Sequence, residues 1–286
     1  MDEKQLAKRE KMIARIQEFT LMDDDFMTCF FDGDIECTEF LLKTILGKDL
    51  TVTEVTAQKV IKSLKSRSVR LDVFARDSEQ KPYDIEIQRA DEGAGAKRAR
   101  YNSAMMDTDE TVTGMNTDEL PESYVIFITE NDIYGKNKPL YHIERKIVEL
   151  DNKDFEDGTH IIYVNGKYRA DDAIGSLMHD FSCKKADDMK SKLLAKKTRE
   201  LKENTTGVQK MCKIMEEFVA EARAEAREEG KMEGRMEGRA EARTETRNEV
   251  AEDLLKDGSL SIERISAISR LPIERVKELA EKIAAK

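Results

Sequence analysis

The fold of this chain is decided by residues 69–89, which read V-R-L-D-V-F-A-R-D-S-E-Q-K-P-Y-D-I-E-I-Q-R. Two runs within this stretch, 69–75 and 83–88, alternate apolar or β-branched residues with polar ones, as half-buried strands do. The polar segment 76–82 between them has the composition of a turn. The stretch therefore predicts two antiparallel strands joined as a hairpin.

Acidic and amide side chains lie on one predicted face of this hairpin. Because side chains alternate across a strand, Asp84, Glu86 and Gln88 share one face of the second strand. If the register brings Asp72 of the first strand opposite Glu86, two carboxylates converge beside an amide, and such oxygen-rich clusters suit Mg²⁺ or Mn²⁺. The alternative is an ordinary hairpin with one solvated face, which alternates polar and apolar residues in the same way.

Asp72, the E-I-Q of residues 86–88 and the basic run K-R-A-R-Y of residues 97–101 together resemble the PD-(D/E)XK nuclease superfamily. Within it, the chain is most similar to the recombination-promoting nuclease and transposase family of bacteria, over roughly residues 20–220. The resemblance implies an α/β, restriction-endonuclease-like fold with an α-β-β-β-α-β core, a mixed sheet and a helical C-terminal extension. Gln88 stands where lysine is more usual in the superfamily, although glutamine is the common occupant in this branch.

The same resemblance implies a metal-dependent DNA endonuclease, linked to recombination or transposition, that hydrolyses phosphodiester bonds. Asp72 and Glu86 would hold Mg²⁺ (or Mn²⁺) together with the backbone carbonyl of Ile87. Gln88 would orient reacting groups by hydrogen bonds, since its amide carries no charge. Two alternatives remain open: a nuclease fold without turnover that only binds DNA or another partner, and a purely structural helical adaptor.

Further elements follow from periodicity and from capping residues. The patterns predict helices over 1–20, 35–46 and 94–107, and strands over 50–61, 123–129, 141–149 and 158–164. A helix before the strands sometimes donates an extra acid to the metal site in the superfamily, and Glu36 and Glu39 are the candidates. The alternative is that both are solvated positions of an amphipathic helix.

Basic residues flank the hairpin, and they bear on whether an acidic chain can approach DNA. The formal net charge is −10, and a uniformly acidic surface would repel a polyanion. We expect local charge to decide, with DNA bound by Lys65, Arg67 and Arg70 on one side and by Lys97, Arg98 and Arg100 on the other. The alternative is two ordinary solvated surfaces.

Composition and the N-terminal residues indicate where in the cell we expect the protein. The mean hydropathy is −0.63, and no apolar run approaches the roughly 18 residues that a membrane span needs. The N-terminus M-D-E-K-Q has no apolar signal core. The four cysteines and three histidines show no spacing typical of a zinc site or of a disulfide framework. These features predict a cytoplasmic protein with reduced thiols and no membrane contact.

A four-residue charge repeat dominates the last third of the chain. Glutamate recurs at every fourth position from Glu221 to Glu249, and a basic residue does so from Arg223 to Arg247. This spacing stacks like charges on one another and offers no apolar seam, so it predicts a solvated helical spacer and not a coiled coil. The alternative is a partner helix whose charge stripes are displaced against these.

The sequence therefore predicts three parts. Residues 1–220 form the nuclease-like domain, 221–249 the charged spacer, and 250–286 a small helical module that resembles a helix-turn-helix. That module would either contact DNA or serve interaction, and the C-terminal helices are the candidates for homo-oligomer formation.

Overall fold

A computed structural model describes residues 3–62, 68–89 and 91–284. The chain divides into two compact units, Met1–Glu217 and Phe218–Lys286. The first unit contains a six-stranded sheet with helices on both faces, and the second is helical. The predicted division into three parts stays a prediction, and helix α7 (Thr205–Asp257) passes without a break through the predicted spacer.

Three helices precede the sheet: α1 (Glu3–Glu18), α2 (Asp24–Phe31) and α3 (Ile35–Leu46). Helix α3 begins where the Asp34 carboxylate accepts the Cys37 backbone N–H at 2.9 Å, and it ends at Gly47 with φ 64°. An aspartate N-cap and a left-handed glycine are the usual boundaries of a helix, which explains why the predicted range 35–46 agrees with the structure.

The six strands of the sheet lie in the order β1-β2-β3-β4-β8-β5. Strands β1, β2 and β3 pair antiparallel, β3, β4 and β8 pair parallel, and β5 pairs antiparallel with β8. With α4 (Ala96–Glu110) between β3 and β4, the mixed sheet and the order α3-β1-β2-β3-α4-β4 confirm the predicted α-β-β-β-α-β fold. The strands are β1 (Val52–Ile61), β2 (Val69–Asp77), β3 (Pro82–Gln88), β4 (Ser123–Thr129), β5 (Leu140–Ile143) and β8 (Thr159–Asn165).

The strand predicted over 141–149 is divided in the structure. Strand β5 ends at Ile143, which pairs with Ile161 close to the start of β8. Because β8 begins at Thr159, the chain beyond Ile143 soon runs out of a partner strand. It forms instead a separate two-stranded hairpin from β6 (Lys146–Ile147) and β7 (Lys153–Asp154).

Helix α4 (Ala96–Glu110) connects β3 to the parallel strand β4 and packs on one face of the sheet, against Phe74 and Phe127. The opposite face carries the larger core, to which α1, α2, α3, α5 (Ala173–Ser182), α6 (Lys192–Lys202) and the start of α7 contribute. Every residue of β4 is buried, as expected for a central parallel strand covered on both faces.

Lys202 at the end of α6 is a buried cation that connects distant parts of the first unit. Its side chain is only 4% exposed. The ammonium donates to the carbonyl oxygens of Gln17 at 3.2 Å and Phe19 at 2.5 Å, and also to that of Lys184. Burial lowers the Lys202 pKa to about 8, so the group keeps three donors for three carbonyls at neutral pH.

The second unit consists of the larger part of α7 with α8 (Ile262–Ser269) and α9 (Ile273–Ala284). Its small core contains Ala251, Ile265, Leu271, Val276 and Leu279. None of the helices in the described part of the chain is both long and apolar enough to cross a membrane.

Candidate active site, a buried carboxylate cluster

Strand β3 carries two carboxylates into the interface with α4. Asp84 and Glu86 stand two residues apart on one face of the strand, and both are fully buried. Asn102 of α4 reaches them with one amide nitrogen, which donates to Asp84 Oδ2 at 2.9 Å and to Glu86 Oε1 at 3.1 Å. Asn102 therefore fixes the spacing of the two acids, because a single donor group is shared between them.

Asp72 joins the carboxylate cluster from β2, where its side chain accepts a hydrogen bond from the backbone of β3. The paired residues of β2 and β3 run from Arg76–Pro82 to Val73–Ile85, and beyond this last pair the Ile87 N–H donates to Asp72 Oδ2 at 3.1 Å. Asp72 and Glu86 each lie 3.4 Å from the Gln88 amide nitrogen, which is the arrangement expected if the hairpin register brought the two acids together. The alternation along β2 is irregular. Leu71 and Phe74 are three residues apart and would lie on opposite faces of a regular strand, yet both pack in the hydrophobic core beneath α4.

Gln88 lies between the two acids. Its amide nitrogen is 3.4 Å from Asp72 Oδ2 and 3.4 Å from Glu86 Oε2, which are long hydrogen bonds. The amide oxygen faces Gly93, where an added Cβ would lie 2.0 Å from it. A glycine at position 93 thus leaves the space that the Gln88 side chain occupies.

Arg98 is part of the cluster, although the sequence suggested only a DNA contact for it. Its guanidinium forms an ion pair with Glu86 Oε2, donates to the Gly93 carbonyl at 3.0 Å, and lies 5.9 Å from the centre of the Phe127 ring. The Arg98 side chain is 38% exposed, whereas Glu86 is not exposed at all. Arg98 therefore neutralises a buried acid while part of its surface faces solvent.

Burial sets the protonation of the three acids. It raises the pKa of Asp72 to about 8, with the charge of Glu86 as the second cause. It raises the pKa of Glu86 to about 8, with Asp84 as the second cause, and that of Asp84 to about 7. Like charges this close resist joint ionisation, so a bound cation would stabilise the carboxylate forms.

The donor set fits a hard divalent cation. Asp84 Oδ1 and Asn102 Oδ1 are buried oxygen atoms that have no hydrogen-bond partner among the described residues, and carboxylate and amide oxygens are the ligands that Mg²⁺ and Mn²⁺ prefer. Ile87 contributes its N–H to Asp72, while a role for its carbonyl oxygen stays a prediction.

The structure does not bring Glu36 or Glu39 to this cluster. Glu36 is exposed in the first turn of α3. Glu39 accepts the Val52 N–H at 3.0 Å and pairs with Lys43 at 2.9 Å, at the start of β1. Val52 lies opposite Asp77, at the far end of β2 from Asp72.

Asp24, the first residue of α2, is the acid from a preceding helix that does lie near the cluster. Its charge is among the causes that raise the pKa of Asp72. Burial raises the pKa of Asp24 itself, while the positive charges of Arg89 and Arg98 oppose that rise. The run D-D-D at residues 23–25 was the available signal, but a capping role accounts for such a run equally well.

The remaining basic candidates are distributed around the cluster. Arg70 is exposed on β2, and Lys97 and Arg100 are exposed in the first turns of α4. Lys65 and Arg67 lie outside the described residues. Arg98 forms an ion pair with Glu86 of the cluster, whereas contacts of Arg70, Lys97 and Arg100 with a phosphate backbone stay predictions.

A second group of metal-binding side chain types occurs at the end of α5. In the described ranges, His179, Asp180 and Cys183 are the one set of three such residues whose ligand atoms all lie within 4.8 Å of one another. Both Asp180 oxygens already accept backbone N–H groups, from Lys190 at 2.7 Å and Ser191 at 2.8 Å. Burial raises the pKa of the Cys183 thiol to about 11. This group therefore fits a role in fixing the loop after α5 better than metal binding.

Comparison with known proteins identifies one family. The family model described as PD-(D/E)XK nuclease family transposase matches residues 37–245. The matched range includes Asp72, Glu86, Gln88 and Arg98, and it begins after Asp24. No curated protein and no solved structure matches the chain.

Proposed function

Because the chain belongs to the PD-(D/E)XK nuclease family transposases, we propose that it is a divalent-metal-dependent DNA endonuclease. Membership of the family supports a function related to nuclease or transposase activity. The observation that supports hydrolysis of phosphodiester bonds is the carboxylate cluster on β2 and β3. Three neighbouring carboxylates have raised pKa values, the half-buried Asp72 and the fully buried Asp84 and Glu86. Among the described residues, Oδ1 of Asp84 has no hydrogen-bond partner. Perturbed acids of this kind mark functional sites.

Each residue has a distinct proposed role. Asp72 and Glu86 hold Mg²⁺ or Mn²⁺, with Asp24 as the additional acid and the Ile87 carbonyl as a further donor. The bound cation would supply charge neutralisation at the scissile phosphate and acidify a water. Gln88 orients the attacking water or the phosphate through its amide N–H group.

Basic residues around the cluster bind the substrate. Arg98 extends from Glu86 towards solvent, so its guanidinium can donate to a phosphate oxygen next to the metal site. Arg70, Lys97 and Arg100, together with Lys65 and Arg67, contact the DNA backbone on either side. A cytoplasmic role in recombination or transposition, and assembly of copies through the C-terminal helices, complete the proposal.

A catalytically inactive, DNA-binding member of the fold is the second candidate. One observation favours it: Glu86 Oε2 is already paired with Arg98, which competes for an oxygen that a metal would need. Gln88, in place of the more usual lysine, also removes a cation from the site.

The test is cleavage of supercoiled plasmid by the full chain with Mg²⁺, with Mn²⁺ and with EDTA. Asp72→Asn is the matched control, because it keeps the shape of the side chain and removes the charge. We expect nicked or linear product only with metal and only from the unsubstituted protein. Binding of the plasmid without any metal-dependent cleavage would favour the second candidate.

A further inference from the structure

A groove on the second unit is lined by arginines. The C-terminal half of α7 and the end of α8 enclose a cavity of about 470 Å³. Arg239, Arg243 and Arg247 line it at four-residue intervals along α7. Arg270, the residue that follows α8, lines it as well. With a rise of 1.5 Å per residue, the α7 arginines lie about 6 Å apart along the helix axis. We call these four residues the arginine groove.

Within the described residues, the charges of the arginine groove are not balanced by acids. No Asp or Glu occurs among the described residues that line the cavity, and none of the described residues forms an ion pair with any of the four arginines. Elsewhere in the same unit, cations do pair: Lys256 with Asp253 at 3.6 Å, and Arg275 with Glu278 at 2.7 Å. In a chain of net charge −10, four guanidiniums that line one groove without an ion-pair partner among the described residues form a local positive surface that favours an anionic ligand.

The other residues that line the groove indicate which kind of anion it would bind. Val250 and Ile268 are the large apolar residues of the cavity, and no aromatic side chain lines it. Bases are usually gripped by stacking on aromatic rings, so this surface is not suited to reading bases. Guanidinium groups donate pairs of hydrogen bonds to phosphate oxygens, and phosphates recur at regular intervals along a nucleic-acid strand.

We propose that the arginine groove is a second DNA-binding site, which holds the phosphate backbone without regard to base sequence. The inference rests on the proposed function in that DNA is the substrate, and it adds a site on residues 218–286 to the one proposed at the carboxylates. Within the second unit, it places DNA contact on the surface between α7 and α8 and not on α9, where acidic and basic residues are mixed.

An acidic helix is the competing occupant. The chain itself carries glutamate at every fourth position of the repeat, with Glu245 and Glu249 exposed, so a second copy would offer matching charge. Helix–helix interfaces, however, have apolar centres that are depleted of charged residues. The arginine groove has four charged residues against two large apolar ones, a balance that is typical of nucleic-acid interfaces.

The experiment measures binding of a labelled DNA duplex to the full chain by fluorescence anisotropy in EDTA, which separates binding from cleavage. The test variant is Arg243→Gln with Arg247→Gln. The matched control is Arg227→Gln with Arg235→Gln, which removes the same charge from the same helix outside the cavity. Arg243→Lys with Arg247→Lys keeps the charge and tests for rescue.

We expect the test variant to bind roughly 10- to 100-fold more weakly, with the slope of log affinity against log salt smaller by about 2. The control should stay within about threefold of the unsubstituted chain, and the lysine variant should recover most of the affinity. Sequence changes in the duplex should not alter these results.

Three outcomes would overturn the proposal: unchanged DNA affinity in the test variant, an equal loss in the control, or a change of oligomeric state in light scattering without a change in DNA affinity. The last outcome would assign the groove to an acidic helix. Plasmid cleavage by the same preparations is measured separately. A protein that binds DNA but does not cleave it can therefore still support or refute the proposed DNA-binding role of the groove.

Discussion

The acids of strand β3 and the acids of helix α7 have the same chemistry and opposite surroundings. Asp84 and Glu86 are fully buried and share Asn102 as a donor, whereas Glu245 and Glu249 are exposed to solvent. A carboxylate removed from water must be compensated by hydrogen bonds, a cation or a proton, and each β3 acid has such compensation. Burial therefore distinguishes the carboxylates of the proposed site from the many other acids of the chain.

The cations differ between the two regions in the same way. Arg98 and Lys202 in the first unit have specific acceptors, whereas the arginines of the groove have no ion-pair partner among the described residues. A buried cation that is fully bonded stabilises the fold, while an exposed and unpaired one is available to a ligand. Substitutions matched between the two regions test this difference.

The largest effect is expected from Glu86→Gln, compared with Glu249→Gln on α7. Glu86→Gln should reduce metal-dependent cleavage by at least about 1000-fold, because it removes a proposed metal ligand. Without metal its melting temperature should hold or rise, since one of the adjacent buried acids is gone. Glu249→Gln should change neither property.

Plasmid cleavage and thermal unfolding in EDTA measure both quantities. Undiminished cleavage by Glu86→Gln would refute the assignment of the site. A lower melting temperature in EDTA would show that Glu86 stabilises the fold mainly through Arg98.

Gln88→Ala tests the amide that lies between Asp72 and Glu86. We expect single-turnover cleavage to slow by roughly 10- to 1000-fold, the range for loss of one positioning donor. Gln88→Lys should keep part of the activity, because the added cation also favours phosphate charge.

Single-turnover rates at saturating metal decide between the roles of Gln88. If Gln88→Ala cleaves at the unsubstituted rate, the residue only fills the strand face. If it is as inactive as Asp72→Asn, Gln88 is as essential as a metal ligand.

Lys202→Met sharpens the contrast between buried and exposed cations. The substitution leaves the carbonyl oxygens of Gln17, Phe19 and Lys184 without their donor, and we expect a loss of about 3 kcal/mol in the free energy of unfolding. Lys256→Met, at an exposed position of α7, is the control and should leave stability unchanged. Urea denaturation followed by circular dichroism gives both values, and equal midpoints would contradict the prediction.

The smallest effects are expected from glycine to alanine substitutions. An added Cβ at Gly234 in α7 meets nothing within 4 Å, so Gly234→Ala should stabilise the helix locally by about 1 kcal/mol. At Gly93 the Cβ would meet Gln88 Oε1 at 2.0 Å, so Gly93→Ala should displace the amide and slow cleavage. Amide hydrogen exchange measures the first effect and single-turnover kinetics the second, and a cleavage defect in Gly234→Ala would contradict the separation of the two regions.

Local sequence patterns were sufficient where the structure depends on neighbours in the chain. The hairpin and the helix over 35–46 follow from alternation, a short turn and capping residues. The meeting of Asp72 with Glu86 also required a register that alternation alone does not fix. The strand over 141–149 was predicted too long because its end depends on where β8 begins, which is a property of a distant segment.

What the sequence by itself determined is therefore the order of the elements and the pair of acids on one hairpin, because a period of two residues and a tight turn act over short distances. Only the tertiary structure decided that Asn102 and Arg98 of α4 reach Glu86. It also placed Asp24, and not Glu36 or Glu39, where its charge acts on Asp72. In the second unit, it brought Arg270 to the groove that the α7 arginines line. These contacts depend on how helices are packed and rotated against other elements. The packing is set by the fit of whole side-chain surfaces that are remote in sequence.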